Sequence, residues 1–220
     1  MYFTDRTALG NALAENLKQL SGTDAILVCL KPSSMMVAIA MAIKLRAWIL
    51  PLFYESIINP LNPLARLGAV AQNGEFCLDP TITSNDYDYI SREYMNQLEE
   101  AKRTAYSKLT RAMNQYHGTT DPHILNNRSV VLVGDVMFNG IGLVVAKSLL
   151  KPLKPAAVYG SVGNVTIDVS DRFRTMTNET KVLDVLPSSV FGEEHYFEKP
   201  DAYSYEEKQA LAHNIANYWA

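Results

Sequence analysis

The stretch Ser129-Val130-Val131-Leu132-Val133-Gly134-Asp135-Val136-Met137-Phe138-Asn139-Gly140-Ile141-Gly142-Leu143 decides how this chain folds. Four consecutive apolar residues, Val130, Val131, Leu132 and Val133, have the pattern of a strand buried on both faces. Residues 134–140 interrupt that run, and 141–150 resume as a helix. A strand that empties through a short turn into a helix leaves the first helical N–H groups without internal partners. The helix dipole adds positive potential at the same point, so such a turn suits an anion. The signal is general rather than specific, because most strand-to-helix turns carry no ligand.

The same arrangement occurs upstream. Residues 25–30 form an uninterrupted apolar run, Lys31-Pro32-Ser33-Ser34 breaks it, 35–46 reads as a helix and 47–54 as a second strand. Strand, loop, helix and strand in that order make a βαβ unit, which predicts an α/β fold with a parallel sheet. Ligands on such sheets bind outside the carboxyl ends of the strands, where both loops lie. Ahead of this unit, Thr4 is expected to cap a helix carrying Leu9, Leu13, Leu17 and Leu20 on one face, ended by Ser21-Gly22.

Further along, 57–63 reads as a Pro- and Asn-rich loop. Gln72-Asn73-Gly74 between two apolar runs predicts a β-hairpin. A long helix follows, with Ile90, Tyr94, Leu98, Ala101, Ala105, Leu109, Ala112 and Tyr116 on one face and mixed charges on the other. Strands are expected at 156–162 and 181–186, and a closing helix at 203–219. No repeat or linker divides the chain, so residues 1–220 are read as one domain.

Composition bounds the function. The chain is 48% hydrophobic and 20% charged, ordinary globular usage, and its net charge of −3 offers no basic face for nucleic acid. Cys29 and Cys77 each lie in an apolar run and read as buried thiols of a reducing compartment. No signal peptide or membrane span is apparent, and a cytoplasmic protein is expected. His117, His123, His195 and His213 show no paired spacing, which disfavours a metal site or a histidine triad. Between Asp184 and Glu207, seven acids face the single base Lys199, the pattern of a solvated acidic end.

The segment 129–150 resembles the phosphoribosyl pyrophosphate (PRPP) loop of type I phosphoribosyltransferases. In that family an apolar strand leads to two acids, then a small-residue turn with Thr-Gly and a further hydroxyl residue, then a helix. Here Gly134 stands at the first acid, Asp135 at the second, Asn139-Gly140 at Thr-Gly and Gly142 at the closing hydroxyl. Asp5-Arg6 with Gly10 and Leu13-Ala14 is similar to the opening of a subfamily of predicted bacterial phosphoribosyltransferases. Leu30-Lys31-Pro32-Ser33-Ser34 takes the place of that subfamily's pyrophosphate loop. Asn62-Pro63, Gly68-Ala69-Val70-Ala71 with Gly74, and the late stretch from Phe191 to Phe197 with Tyr196 follow its pattern too. The resemblance thus spans nearly the whole chain.

It implies a phosphoribosyltransferase-like parallel sheet flanked by helices, with a small β-hairpin or hood insertion. It also implies a ribose-phosphate site over Gly134, Asp135, Val136, Met137, Phe138, Asn139, Gly140, Ile141 and Gly142, and a pyrophosphate loop of Lys31, Pro32, Ser33 and Ser34. Mg²⁺, met through water by Asp135, would be the cofactor of an active transferase.

The departures fall on the chemistry. One acid and both hydroxyls are gone from the phosphate loop. The pyrophosphate loop has lost its arginine, although Lys31 lies one position earlier, and Glu55 stands where the family carries an Arg-Lys pair. Asp135 holds ribose or caps the turn; Gly134 is a lost acid or a point of close backbone approach. Phe138 plugs the ribose pocket, stacks on a base or packs against a neighbouring loop. The expected ligand is a phosphorylated sugar or nucleotide, with transfer weak or lost. The readings held beside it are an active transferase and a non-catalytic regulatory or scaffold module. The tyrosine-rich long helix is an expected homodimer face.

Overall fold

The computed structural model describes residues 1–189 and 191–219. In chain order its elements are α1 (Arg6–Glu15), β1 (Ile26–Cys29), α2 (Met35–Leu45), β2 (Trp48–Pro51), β3 (Tyr54–Asn59), β4 (Asn62–Ala71) and β5 (Phe76–Leu78). After these come α3 (Ser84–Glu93), α4 (Met95–Gln115), β6 (Ser129–Met137), α5 (Ile141–Leu150), β7 (Ala157–Thr166), α6 (Ile167–Met176), β8 (Glu179–Leu186) and α7 (Tyr205–Trp219). They divide between two compact units. One comprises Met1–Pro51, Tyr116–Asn139 and the chain from Leu153 onward, and the other Leu52–Gln115 and Gly140–Pro152.

The first unit is built on a five-stranded sheet in the order β2-β1-β6-β7-β8, every neighbouring pair parallel. Each of the central strands β1 and β6 has a continuous buried run, because apolar side chains are needed on both faces. Leu9, Leu13 and Leu17 meet Val37, Met41, Leu27, Val131 and Val133 in one core. Helix α2 is buried nearly all round, which explains a helix of almost unbroken apolar sequence. Its C-cap, Arg46, turns the chain at φ 53. Asp5, not Thr4, caps α1, its carboxylate accepting from the Ala8 N–H at 2.7 Å.

The second unit holds an antiparallel sheet, β3-β4-β5, with α3, α4 and α5. The expected hairpin forms between β4 and β5, where Gly74 takes φ +82 and Asn73 accepts from the Glu75 N–H at 3.1 Å. The expected loop at 57–63 is instead the tight connection of a second hairpin. Asn59 accepts from the Leu61 N–H at 2.9 Å, so the Asn and Pro residues make a turn between paired strands. The strand expected at 47–54 stops at Pro51, which has no N–H to donate to a ladder. The long helix is two, separated at Tyr94 with φ −118, where no Pro or Gly marks a break. Helix α6 has no counterpart in the sequence expectations. No helix among the described residues is long and apolar enough to cross a membrane.

Candidate functional site

The strand order reverses at β1. Its first crossover places β2 on one side, and the later strands add on the other, starting with β6. The carboxyl ends of β1 and β6 therefore flank the topological switch point, where open α/β sheets take their ligands. Lys31, Ser33 and Ser34 follow β1, and Asp135 lies near the end of β6. The two predicted loops converge here on one carboxylate.

Asp135 has no solvent exposure. Its Oδ1 accepts from Ser34 Oγ at 2.8 Å and meets Lys31 Nζ at 3.0 Å, while Ser33 Oγ stands at 3.4 Å. Its Oδ2 accepts from Arg6 Nε at 3.0 Å. Ser34 Oγ also accepts from the Asp135 N–H at 3.0 Å, so side chain and backbone are clasped together. Burial alone would raise the pKa of Asp135, but Lys31 and Arg6 outweigh it and hold the carboxyl below the ordinary range. It is an ionised acceptor.

The cations are shared further outward. Arg6 donates in bidentate fashion to Glu194, at 3.0 and 2.5 Å, and lies 4.4 Å over the Phe197 ring. Lys31 Nζ meets Glu193 at 2.6 Å and donates to the Val136 carbonyl. Asp201 pairs with the buried Lys208 and stands 3.9 Å from Arg6. Burial opposes charge on Arg6, yet Glu194 and Asp135 together raise its basicity above the ordinary value. Three cations and four carboxylates thus form one network. A cavity of about 150 Å³ borders Arg6 on the side of Asp5, Thr7, Lys199, Asp201 and Tyr203; Asp135 does not line it.

The remaining predicted residues divide. Gly134, Asp135, Val136 and Met137 belong to β6 rather than to a loop, paired with β7 through Gly134↔Val162, Val136↔Asn164 and Met137↔Val165. The turn is shorter than the sequence implied, running over residues 138–140. A Cβ on Gly134 would lie 2.5 Å from Met137 Sδ and 3.0 Å from Val162 Cγ2. Gly134 is a point of close approach. Phe138 packs on the core, edge-on to Tyr196 with centroids 6.1 Å apart. Gly140, Ile141 and Gly142 open α5 in the second unit; Gly140 is its N-cap, with no side-chain cap bond. Pro32 sits at the first position of a short 3-10 turn through Ser34.

The acidic end is not simply solvated. Glu193, Glu194 and Asp201 serve as counter-ions for Lys31, Arg6 and Lys208, because buried cations need partners close by. Sequence reasoning missed Arg6 as a site residue. The available signal was a charged residue on the same helical face as Leu9, Leu13 and Leu17. Glu193 and Glu194 gave no local sign of their roles, since their partners lie more than 150 residues away.

The residues do not fit a divalent cation in this arrangement. Mg²⁺ needs free oxygen ligands, and the Asp135 oxygens face a guanidinium, an ammonium and a hydroxyl. Among the described residues no group of three His, Cys, Asp or Glu side chains is placed to hold a metal ion.

No protein-family model and no curated protein matches the sequence. Among solved structures the chain is similar to TT1426 from Thermus thermophilus, with a TM-score of 0.74 and 24% identity over 98% of this chain and 100% of that one. That likeness is one of fold. A hypoxanthine-guanine phosphoribosyltransferase from Bacillus anthracis aligns with a TM-score of 0.43 and 12% identity, over 85% of this chain and 84% of that one. A purine phosphoribosyltransferase from Pyrococcus horikoshii gives 0.43 and 12%, over 93% and 97%. The architecture is the α/β one expected: a parallel sheet with flanking helices and a small antiparallel sheet.

Proposed function

We propose that this chain binds a phosphorylated ribose ligand, PRPP or a nucleotide, at residues 134–142 and the adjoining Lys31 loop, and that its transferase activity is weak or lost. The observation that carries this reading is the Lys31–Asp135 ion pair at the switch point of the sheet. Its position supports a ligand site there, because both side chains lie at the carboxyl ends of β1 and β6. Its saturation argues against turnover. The carboxylate that would hold ribose and the ammonium that would meet pyrophosphate are occupied by each other and by Arg6, Ser34 and Glu193.

Phosphoryl and pyrophosphoryl chemistry depends on positive charge placed in advance at the developing anion. Here Gly134 supplies no second acid, Gly142 no hydroxyl, and Lys31 is neutralised. At roughly 2–4 kcal/mol for each missing contact, transfer slows by several orders of magnitude. The competing reading, an active transferase using Mg²⁺, requires Asp135 to exchange its cations for metal-bound water. A scaffold role without a ligand is the third.

Calorimetric titration with PRPP, ribose 5-phosphate and mononucleotides, with and without Mg²⁺, separates them when run beside a pyrophosphate-release assay. Binding with little or no release is the expected result. Metal-dependent release at ordinary enzymatic rates would establish the active transferase, and silence toward every ligand the scaffold.

A further inference from the structure

Lys31 and Arg6 are anion-binding groups already holding anions. The ammonium has three N–H donors, and three acceptors surround it: Asp135 Oδ1, Glu193 Oε2 and the Val136 carbonyl. Arg6 spends Nε on Asp135 and one N–H from each terminal nitrogen on Glu194, in the two-point geometry with which guanidinium also takes a phosphate. An incoming phosphoryl group can therefore take the Lys31 ammonium only if a carboxylate leaves, and can take Arg6 in that two-point geometry only if Glu194 leaves.

The three carboxylates are not equivalent. Asp135 is fully buried and clasped by Ser34, so releasing its charge into that interior is prohibitive. Glu193 and Glu194 have side chains 33% and 64% exposed. Water rehydrates them when they turn outward, and the incoming phosphoryl group takes over the pairing that Lys31 and Arg6 need. Both sit on one short 3-10 turn, Glu193–Tyr196, whose Tyr196 is buried and followed by buried Phe197. These aromatic anchors hold the backbone of the turn, leaving the two glutamate side chains as its exposed part.

We propose that Glu193 and Glu194 are internal competitors for the ligand's anionic group. They occupy Lys31 and Arg6 in the free protein, and a pyrophosphate or phosphomonoester binds by replacing them. This rests on the phosphate-ligand reading above and adds to it the residues that set the affinity.

The test is calorimetric titration of the full chain with inorganic pyrophosphate and, separately, ribose 5-phosphate. Wild type is compared with Glu193→Gln/Glu194→Gln, which keeps the shape of both side chains and removes their charge. The double variant should bind pyrophosphate about tenfold more tightly or better, and adding Lys31→Met to it should cut the gain to about the threefold that freeing Arg6 supplies. Equal affinity in wild type and double variant would overturn the competition while leaving the ligand site standing. Absence of binding in both proteins, for both probes, would remove the ligand site and the competition together. Should the double variant melt early by circular dichroism, Glu194→Gln alone serves, with a gain of threefold or more expected and an unchanged affinity counting against the proposal.

Discussion

Complete burial of Asp135 would favour its neutral acid, but Arg6 and Lys31 lie on its two oxygens and keep it charged. At this position one residue type serves either a sugar hydroxyl or an internal ion pair, and only its neighbours decide. Gly134 shows the same dependence. As a missing acid it invites restoration, yet a side chain there would run into Met137 and Val162. Gly134→Asp is expected to destabilise the protein by about 1–3 kcal/mol through overpacking, with no gain in pyrophosphate release. Urea denaturation reads the stability, and an unchanged midpoint would mean that the strand yields to the added side chain. Phe138 was legible as packing, a large ring in a turn of small residues, and it packs beside Tyr196. Cys29 is a buried thiol as its apolar run implied, its pKa pushed up to about 12 chiefly by burial.

At the scale of elements, periodicity located β1, α2, β6 and the β4–β5 hairpin, because each carries a local signature: an all-apolar run, a run between breakers, or Asn-Gly at a turn. Ends were less legible. The apolar stretch 47–54 gave no sign of where β2 ends except Pro51, and β6 continues to Met137 although Gly134 and Asp135 look like a turn. A charged residue in a buried strand reads as a breaker until its counter-ions are known. Helix α1 gives a direct check on this scale. Its cap is Asp5, one residue before the arginine that reaches Asp135. Asp5→Ala should cost about 1 kcal/mol by removing the bond to the Ala8 N–H. Thermal melts of this variant beside Thr4→Ala test the assignment, and a larger loss from Thr4→Ala would return the cap to Thr4.

For the molecule as a whole, the charge network ties α1, the β1 loop, the end of β6 and the segment 193–208 within the first unit. Its pH dependence has a fixed sign. The folded state lowers the pKa of Asp135, so that carboxylate adds stability above the ordinary value of about 4, lost as pH falls through the depressed folded value. Asp135→Asn should cost about 3–5 kcal/mol at pH 7, because it breaks a buried pair from one side. The gap from wild type should narrow toward pH 3, because below about 4 the unfolded chain takes up a proton that the folded carboxylate resists. Urea midpoints at the two pH values measure both, and an equal gap at each would show that charge is not what Asp135 contributes. The sequence alone determined the parallel sheet, the small hairpin and the two loops from which a site would be drawn, since short-range patterns of burial and turn chemistry specify these. Tertiary structure alone decided that Lys31 and Asp135 meet, that Arg6 joins them and that Glu193 and Glu194 close the network. The physical reason is range: hydrophobic periodicity acts over a few neighbouring residues, whereas a buried charge is balanced by whichever partner the fold brings within about 3 Å, however far along the chain it lies.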